Sequence, residues 1–387
     1  MLVFDFEVFR YDWLVVFKDT TSQEYHTIVN NREQLRQFYK DNRSQLHVGF
    51  NNKRYDNLVY RATLDGADPF RVNQMIIEHD NPIEVYRTWN LNKYWYPSMD
   101  VGQDTMRGSL KEFEGYLGLN IDETSVPFDI KRPLTEDEIS RTIEYCISDV
   151  NATERLIEEF GDGLETKMNL IKEFDLGARE LDNTNAQLSA KALGAQATEF
   201  LDEYEPFPFE NHDITLPKHY GDVKQANTLV GRSTIYDFYN KAPDYTHKLH
   251  IELAGVPHIL AYGGIHGARN NFIYEGEMWL LDVKGYYPSI MIEYDYLSRA
   301  VPKAKRYIYK DIVAERDIAK AKKDYKQDNI LKLVANTTFG ASKAKFNDLY
   351  DPRQANNICI AGQLMLVDLI ESVKDYAKII QLTTWLN

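Results

Sequence analysis

Cysteine is nearly absent. Cys146 and Cys359 are the only two in 387 residues, far apart and with no partner pattern, which excludes a disulfide framework and a cysteine-rich zinc site and fits a reducing compartment. Long apolar runs are also missing. The first one, MLVFDFEVF, carries acids within it and no basic lead, so neither a signal peptide nor a membrane span is expected, and the expected location is the cytoplasm. No internal repeat or low-complexity tract occurs, which excludes solenoid arrays. Basic residues are outnumbered by acids, giving a formal net charge of −14 that argues at first against a phosphate-rich partner.

What is present redresses that balance. A content of 43% hydrophobic and 13% aromatic residues is ample for two or three packed domains. Between Arg299 and Lys345 thirteen basic residues stand against five acids, a local net of +8 inside an acidic protein. The first 160 residues alternate short apolar strands (2–6, 13–17, 47–50) with helical patterns (32–39, 109–117, 135–160), which predicts a mixed α/β domain. Pro133, Thr135 and Glu138 mark the start of the last of these helices by capping-box spacing. Residues 167–199 read as helical again. The proline- and acid-rich stretch 203–217 is the expected boundary, and a second α/β-like segment runs from His250.

Chemistry enters with acids. Asp5 and Glu7 alternate along a strand, so both carboxylates leave one face while Phe6 points to the core. Asp56 follows the end of another strand in the run Gly49-Phe50-Asn51-Asn52-Lys53-Arg54-Tyr55-Asp56. Tyr145 and Asp149 are four apart in the long helix and share a face. Tyr96 and Asp100 have the same spacing, but Pro97 between them disfavours a helix there. Asp5, Glu7, Asp56 and Asp149, with Tyr145, together resemble the three motifs of the DEDD proofreading exonucleases, in the variant whose third motif carries tyrosine. The segment from Arg107-Gly108-Ser109-Leu110-Lys111 to Leu119, and Pro127-Phe128-Asp129-Ile130, are similar to the approach to that third motif. The resemblance implies 3′ to 5′ hydrolysis of DNA with two divalent cations, Mg²⁺ or Mn²⁺, on the four carboxylates. Tyr145 would orient the attacking water and Asn51 would contact the strand.

The second half adds further motifs. Asp282-Val283-Lys284-Gly285-Tyr286-Tyr287-Pro288-Ser289, after an apolar strand expected over 278–281, resembles motif A of family B DNA polymerases, with Gly285 and Tyr286 departing from the usual serine and leucine. Lys332 to Gly340, KLVANTTFG, resembles motif B, with phenylalanine for tyrosine and threonine for serine. Upstream, Arg316 and Lys320 lie one helical turn apart. The glycine-rich Tyr262-Gly263-Gly264-Ile265-His266-Gly267 resembles the connector between nuclease and polymerase. In that family Asp282 would bind both catalytic metals and Tyr287 would pack beneath the incoming sugar. Arg316, Lys320, Lys332 and Asn336 would hold the deoxynucleoside triphosphate, and Tyr262, Gly263, Gly264 and Gly340 would lie along DNA.

The resemblance identifies a compact bacteriophage-type member. It implies a ribonuclease H-like exonuclease domain at 1–165 and a connecting region at 166–249. Palm at 250–310, short helical fingers at 311–345 and a palm return at 346–387 complete an incomplete α+β polymerase. After the helix expected at 362–376, the strand expected at 378–382 reaches the place of motif C, yet no carboxylate follows Asp375. Thr384 aligns with the motif's threonine, and Trp385 takes the place of its aspartate. The expectation is therefore a truncated chain with an active exonuclease on single-stranded 3′ ends and primer-template DNA. Polymerisation is expected to be absent or to depend on a second polypeptide carrying motif C and the thumb. The alternative is a non-catalytic DNA-binding or subunit-interaction module of a split polymerase.

Overall fold

A strand buried on both faces must be apolar on both unless one face carries a site, and β1 (Leu2–Val8) is such a strand. Its odd and even residues part company. Phe4 and Phe6 enter an aromatic core with Phe17, Tyr60 and Tyr96, while Val3 packs with Leu14, Val16, Cys146 and Val150 on the opposite side. Asp5 and Glu7 share the face of Val3. The computed structural model describes residues 1–104, 108–121, 123–209 and 232–384.

These fall into two units, Met1–Leu188 and Ser189–Asn387, each containing helices and a sheet. The division falls between residues 188 and 189, ahead of the boundary expected at 203–217. Residues 210–217 of the expected boundary lie outside the described residues.

In the first unit β2 (Trp13–Asp19), β3 (Tyr25–Val29), β4 (His47–Gly49) and β5 (Ser98–Asp100) join β1 in the order β3-β2-β1-β4-β5. β1, β2 and β3 pair antiparallel; β4 and β5 add in parallel. Helix α1 (Arg32–Asn42) and α2 (Asp56–Leu64) follow β3 and β4. Further on come α3 (Leu110–Tyr116), α4 (Glu136–Glu159) and α5 (Gly161–Glu173). α4 begins at the predicted capping box: Thr135 accepts from the Glu138 amide, Glu138 accepts from that of Thr135, and Arg132 pairs with Glu138. The strands β3 and β5 went unread in the sequence, being short, and β3 largely exposed.

The second unit holds an antiparallel sheet of β6 (Leu249–Leu253), β7 (Val256–Ala261), β8 (Gly264–Ala268) and β9 (Gln381–Thr383), in chain order. Its main helices are α6 (Tyr286–Glu293), α7 (Arg306–Lys322), α8 (Tyr325–Ser342) and α9 (Pro352–Val373). The helix expected at 362–376 thus starts earlier, at Pro352, where Asp351 caps it. The apolar strand expected over 278–281 does not form. A strand needs a hydrogen-bonded neighbour, and no described strand pairs with this run, whose Trp279 and Leu280 are 80% and 96% exposed. No helix among the described residues is long and apolar enough to cross a membrane.

Candidate metal centre

Three pieces of chain bring the acids together. β1 supplies Asp5 and Glu7. The tight passage out of β4 delivers Asp56 to the first position of α2, and the Phe6 amide of β1 donates to its Oδ1 at 3.0 Å. α4 lies over the same face of β1 and contributes Tyr145, Cys146 and Asp149. The Cys146 thiol donates to the backbone oxygen of Asp5 at 3.4 Å and lies 3.5 Å from its Oδ2. α3 adds Lys111, whose ammonium pairs with Asp149 Oδ1 at 2.6 Å and Glu114 Oε1 at 3.1 Å and lies 4.8 Å from the centre of the Tyr145 ring.

The electrostatics follow from this crowding. Burial, then repulsion from Asp56, Glu7 and Asp149, pushes the Asp5 carboxyl well above the ordinary aspartate range. Glu7 is raised by burial and by Asp149 and Asp56. Burial pushes Asp56 up to about 7 despite its backbone hydrogen bonds. Burial raises the Tyr145 phenol too, followed by the charges of Asp149 and Glu7, so it stays protonated as a hydrogen-bond donor, not a base. Burial pulls the Lys111 ammonium down, but its bond to Asp149 and its pairing with Glu114 outweigh that and leave it raised. Four carboxylates that repel one another in a buried place call for positive charge, and their oxygens are the donors that hard divalent ions take.

The structure brings together Asp5, Glu7, Asp56, Tyr145 and Asp149 of the sequence-predicted set. Among the described residues a different set, Asp5, Glu7 and Cys146, offers ligand-type atoms that all lie within 4.8 Å of one another. Cys146 was missed as part of the site. The signal was its spacing three residues before Asp149, which puts both on one helix face. Asp100 also acquires a role. Lying on β5 and buried, it accepts the amides of Asn51 and Gly102 through Oδ1 and that of Lys53 through Oδ2, so it shapes the loop that leads to Asp56. Asn51 is exposed at a positive φ of 57° on that loop. Arg107 lies outside the described residues; Ser109 caps α3 in a second capping box.

In the second unit Asp282 is exposed just before α6 and joins no cluster of metal-ligating side chains among the described residues. Tyr287 packs its ring 4.6 Å from that of Phe339, so two motifs fifty residues apart do meet. Lys332, Asn336 and Gly340 follow one another by four along α8 and are all exposed, and Lys320 is exposed on α7. Arg316 is engaged by Asp328 at 3.0 Å, and Arg299 by Asp202 and Asp351, so part of the basic run is neutralised internally.

The glycine-rich turn has a structural use. Gly264 has a φ of 157°, and a Cβ there would lie 2.4 Å from Thr384 Oγ1, so its bareness admits Thr384 beside β8. Gly263 is exposed in the turn. Tyr262 packs inward against Phe238, Tyr239 and Tyr245, with only 4% of its surface exposed. Trp385 lies outside the described residues. No protein-family model and no curated protein matches this chain.

Proposed function

We propose that this chain is a metal-dependent 3′ to 5′ exonuclease acting on DNA, with a ribonuclease H-like nuclease in its first unit and a family B polymerase-like palm and fingers in its second. The observation that carries the nuclease reading is the meeting of Asp5, Glu7, Asp56 and Asp149, drawn from three separate elements, beside a protonated Tyr145. Asp5, Glu7, Asp56 and Asp149 would hold two Mg²⁺ or Mn²⁺ ions, which supply an activated water and neutralise the leaving 3′ oxygen. The protein's own part is positional. Asp56 is fixed to the backbone of β1, and the protonated Tyr145 hydroxyl, hydrogen-bonded with Asp149, would serve as a donor that orients the attacking water.

For the second unit the exposed stripe of Lys332, Asn336 and Gly340, with Lys320, supports binding of a nucleotide or a DNA backbone. The exposed Ile273, Trp279 and Leu280 favour a second reading of this unit, as a subunit-interaction module for another polypeptide.

Digestion of a 5′-labelled single strand in Mg²⁺ tests the proposal, comparing the chain with its Asp5→Ala variant and running a primed template with nucleotides in parallel. Stepwise shortening abolished in the variant supports the nuclease. Absence of shortening in both overturns it and leaves the non-catalytic binding module.

A further inference from the structure

Lys111 places a positive charge directly on an oxygen of the acidic cluster. The cation comes from α3, whose start is set by the Ser109–Glu112 capping box, so its placement is built into the fold. Its ammonium has two anionic partners of different kinds. Asp149 belongs to the cluster; Glu114 lies on the same helix as Lys111, three residues on, with its side chain 1% exposed. The face of the Tyr145 ring gives a third favourable contact. An ammonium held this way can leave Asp149 without leaving ion pairing, because Glu114 keeps it.

We propose that Lys111 is a tethered counter-cation that occupies Asp149 in the metal-free protein and is displaced to Glu114 when a divalent ion binds, thereby setting the metal affinity of the site. The proposal rests on the nuclease reading of this cluster. Its physics is competition for one carboxylate oxygen. The 2.6 Å bond occupies Oδ1 of Asp149, one of the two oxygens open to a divalent ion, so ammonium and ion compete for the same carboxylate charge and the apparent affinity is lowered by whatever part of that bond the ion displaces. Conversely, removing the ammonium leaves mutually repelling buried carboxylates with less compensation, which destabilises the metal-free fold and strengthens binding of the ion that relieves it. Lys111 is thus a positioning residue for Asp149, and its effect appears in binding before any chemistry.

The test measures free Mn²⁺ by electron paramagnetic resonance in titrations of the full chain and its Lys111→Met and Lys111→Arg variants, with melting temperatures in EDTA alongside. Lys111→Met is expected to bind Mn²⁺ about tenfold more tightly, the factor for one ion pair of roughly 1.4 kcal/mol, and to melt lower in EDTA. Lys111→Arg, which keeps a cation, is expected to stay near the wild type in both. If Lys111→Met does not fold in EDTA, recovery of cooperative melting on adding Mn²⁺ supports the proposal, and failure to recover overturns it. Unchanged or weaker Mn²⁺ binding by a folded Lys111→Met, with the wild type binding normally, overturns the counter-cation alone. A wild type that binds no Mn²⁺ overturns the nuclease reading itself.

Discussion

The amide of Phe6 donates to Oδ1 of Asp56 at 3.0 Å, fastening the first residue of α2 to the strand that carries Asp5 and Glu7. Two of the predicted motifs, fifty residues apart, are therefore held in register by a bond from a backbone amide to a short side chain. The remaining acid, Asp149, comes from a helix packed on the same face through Cys146 and Val150. Geometry of this kind makes the consequences of single substitutions specific.

Tyr145→Phe removes a hydroxyl while leaving the ring under Lys111. Nuclease turnover is expected to fall by about 10²-fold, the usual size of a lost proton-handling or water-orienting group, with Mn²⁺ affinity unchanged. Steady-state digestion paired with metal titration checks it; a parallel loss of metal binding would mean that the phenol helps to hold the ion.

Asp5→Asn removes one of the repelling charges. In EDTA the variant should melt above the wild type, since burial and neighbouring carboxylates oppose the Asp5 charge. In Mn²⁺ the order should reverse, because the wild type gains about 2.7 kcal/mol at a metal concentration 100 times its Kd and the variant gains far less. Differential scanning calorimetry in the two buffers reads both; a variant that melts lower in EDTA contradicts the electrostatic account.

His47 is buried among Phe4, Phe17, Tyr60 and Tyr96, and burial pulls its pKa down to about 4 from 6.5. The unfolded chain therefore binds this proton more readily than the folded one between those values. The stability due to neutral His47 is complete above pH 6.5 and is lost as pH falls toward 4. Urea unfolding at pH 7 and pH 5 should show a wild-type loss exceeding that of His47→Asn by about 2 kcal/mol. Equal losses would show that the imidazole is protonated without penalty in the fold.

Gly264→Ala places a methyl group 2.4 Å from Thr384 Oγ1 and demands a φ that alanine avoids. A cost of about 1–3 kcal/mol is expected. Adding Thr384→Ala should recover only the steric part, because the backbone strain remains and the hydroxyl that accepts the Ile265 amide is gone. Full recovery in the double variant would locate the whole cost in the contact.

Much of the first unit was legible because its signals are local. The capping box at Thr135 and Glu138 and the period-two pattern of β1 need no distant information, and both stand as read. The sharing of a face by Tyr145 and Asp149 is equally local. What escaped was set by tertiary partners. Cys146 looks like an ordinary core thiol until its neighbour across the interface proves to be Asp5. Asp100 resembled a chance repeat of a motif, and two of its three amide donors, Asn51 and Lys53, come from a loop about fifty residues away in sequence. In the second unit the expected strand at 278–281 fails for the same reason in reverse: its apolar composition suits a strand, but strand formation depends on a neighbour that composition does not supply.

The alternation along β1 leaves this strand no tolerance for a change in length. Deleting Phe6 would make Asp5 and Glu7 successive residues that leave opposite surfaces of the sheet, so that one of the two carboxylates must turn toward the aromatic rings. Folding and reactivity would then be lost in one event. Point changes can adjust either property separately, but insertions and deletions here are judged by both, so variation in this stretch should consist of replacements alone.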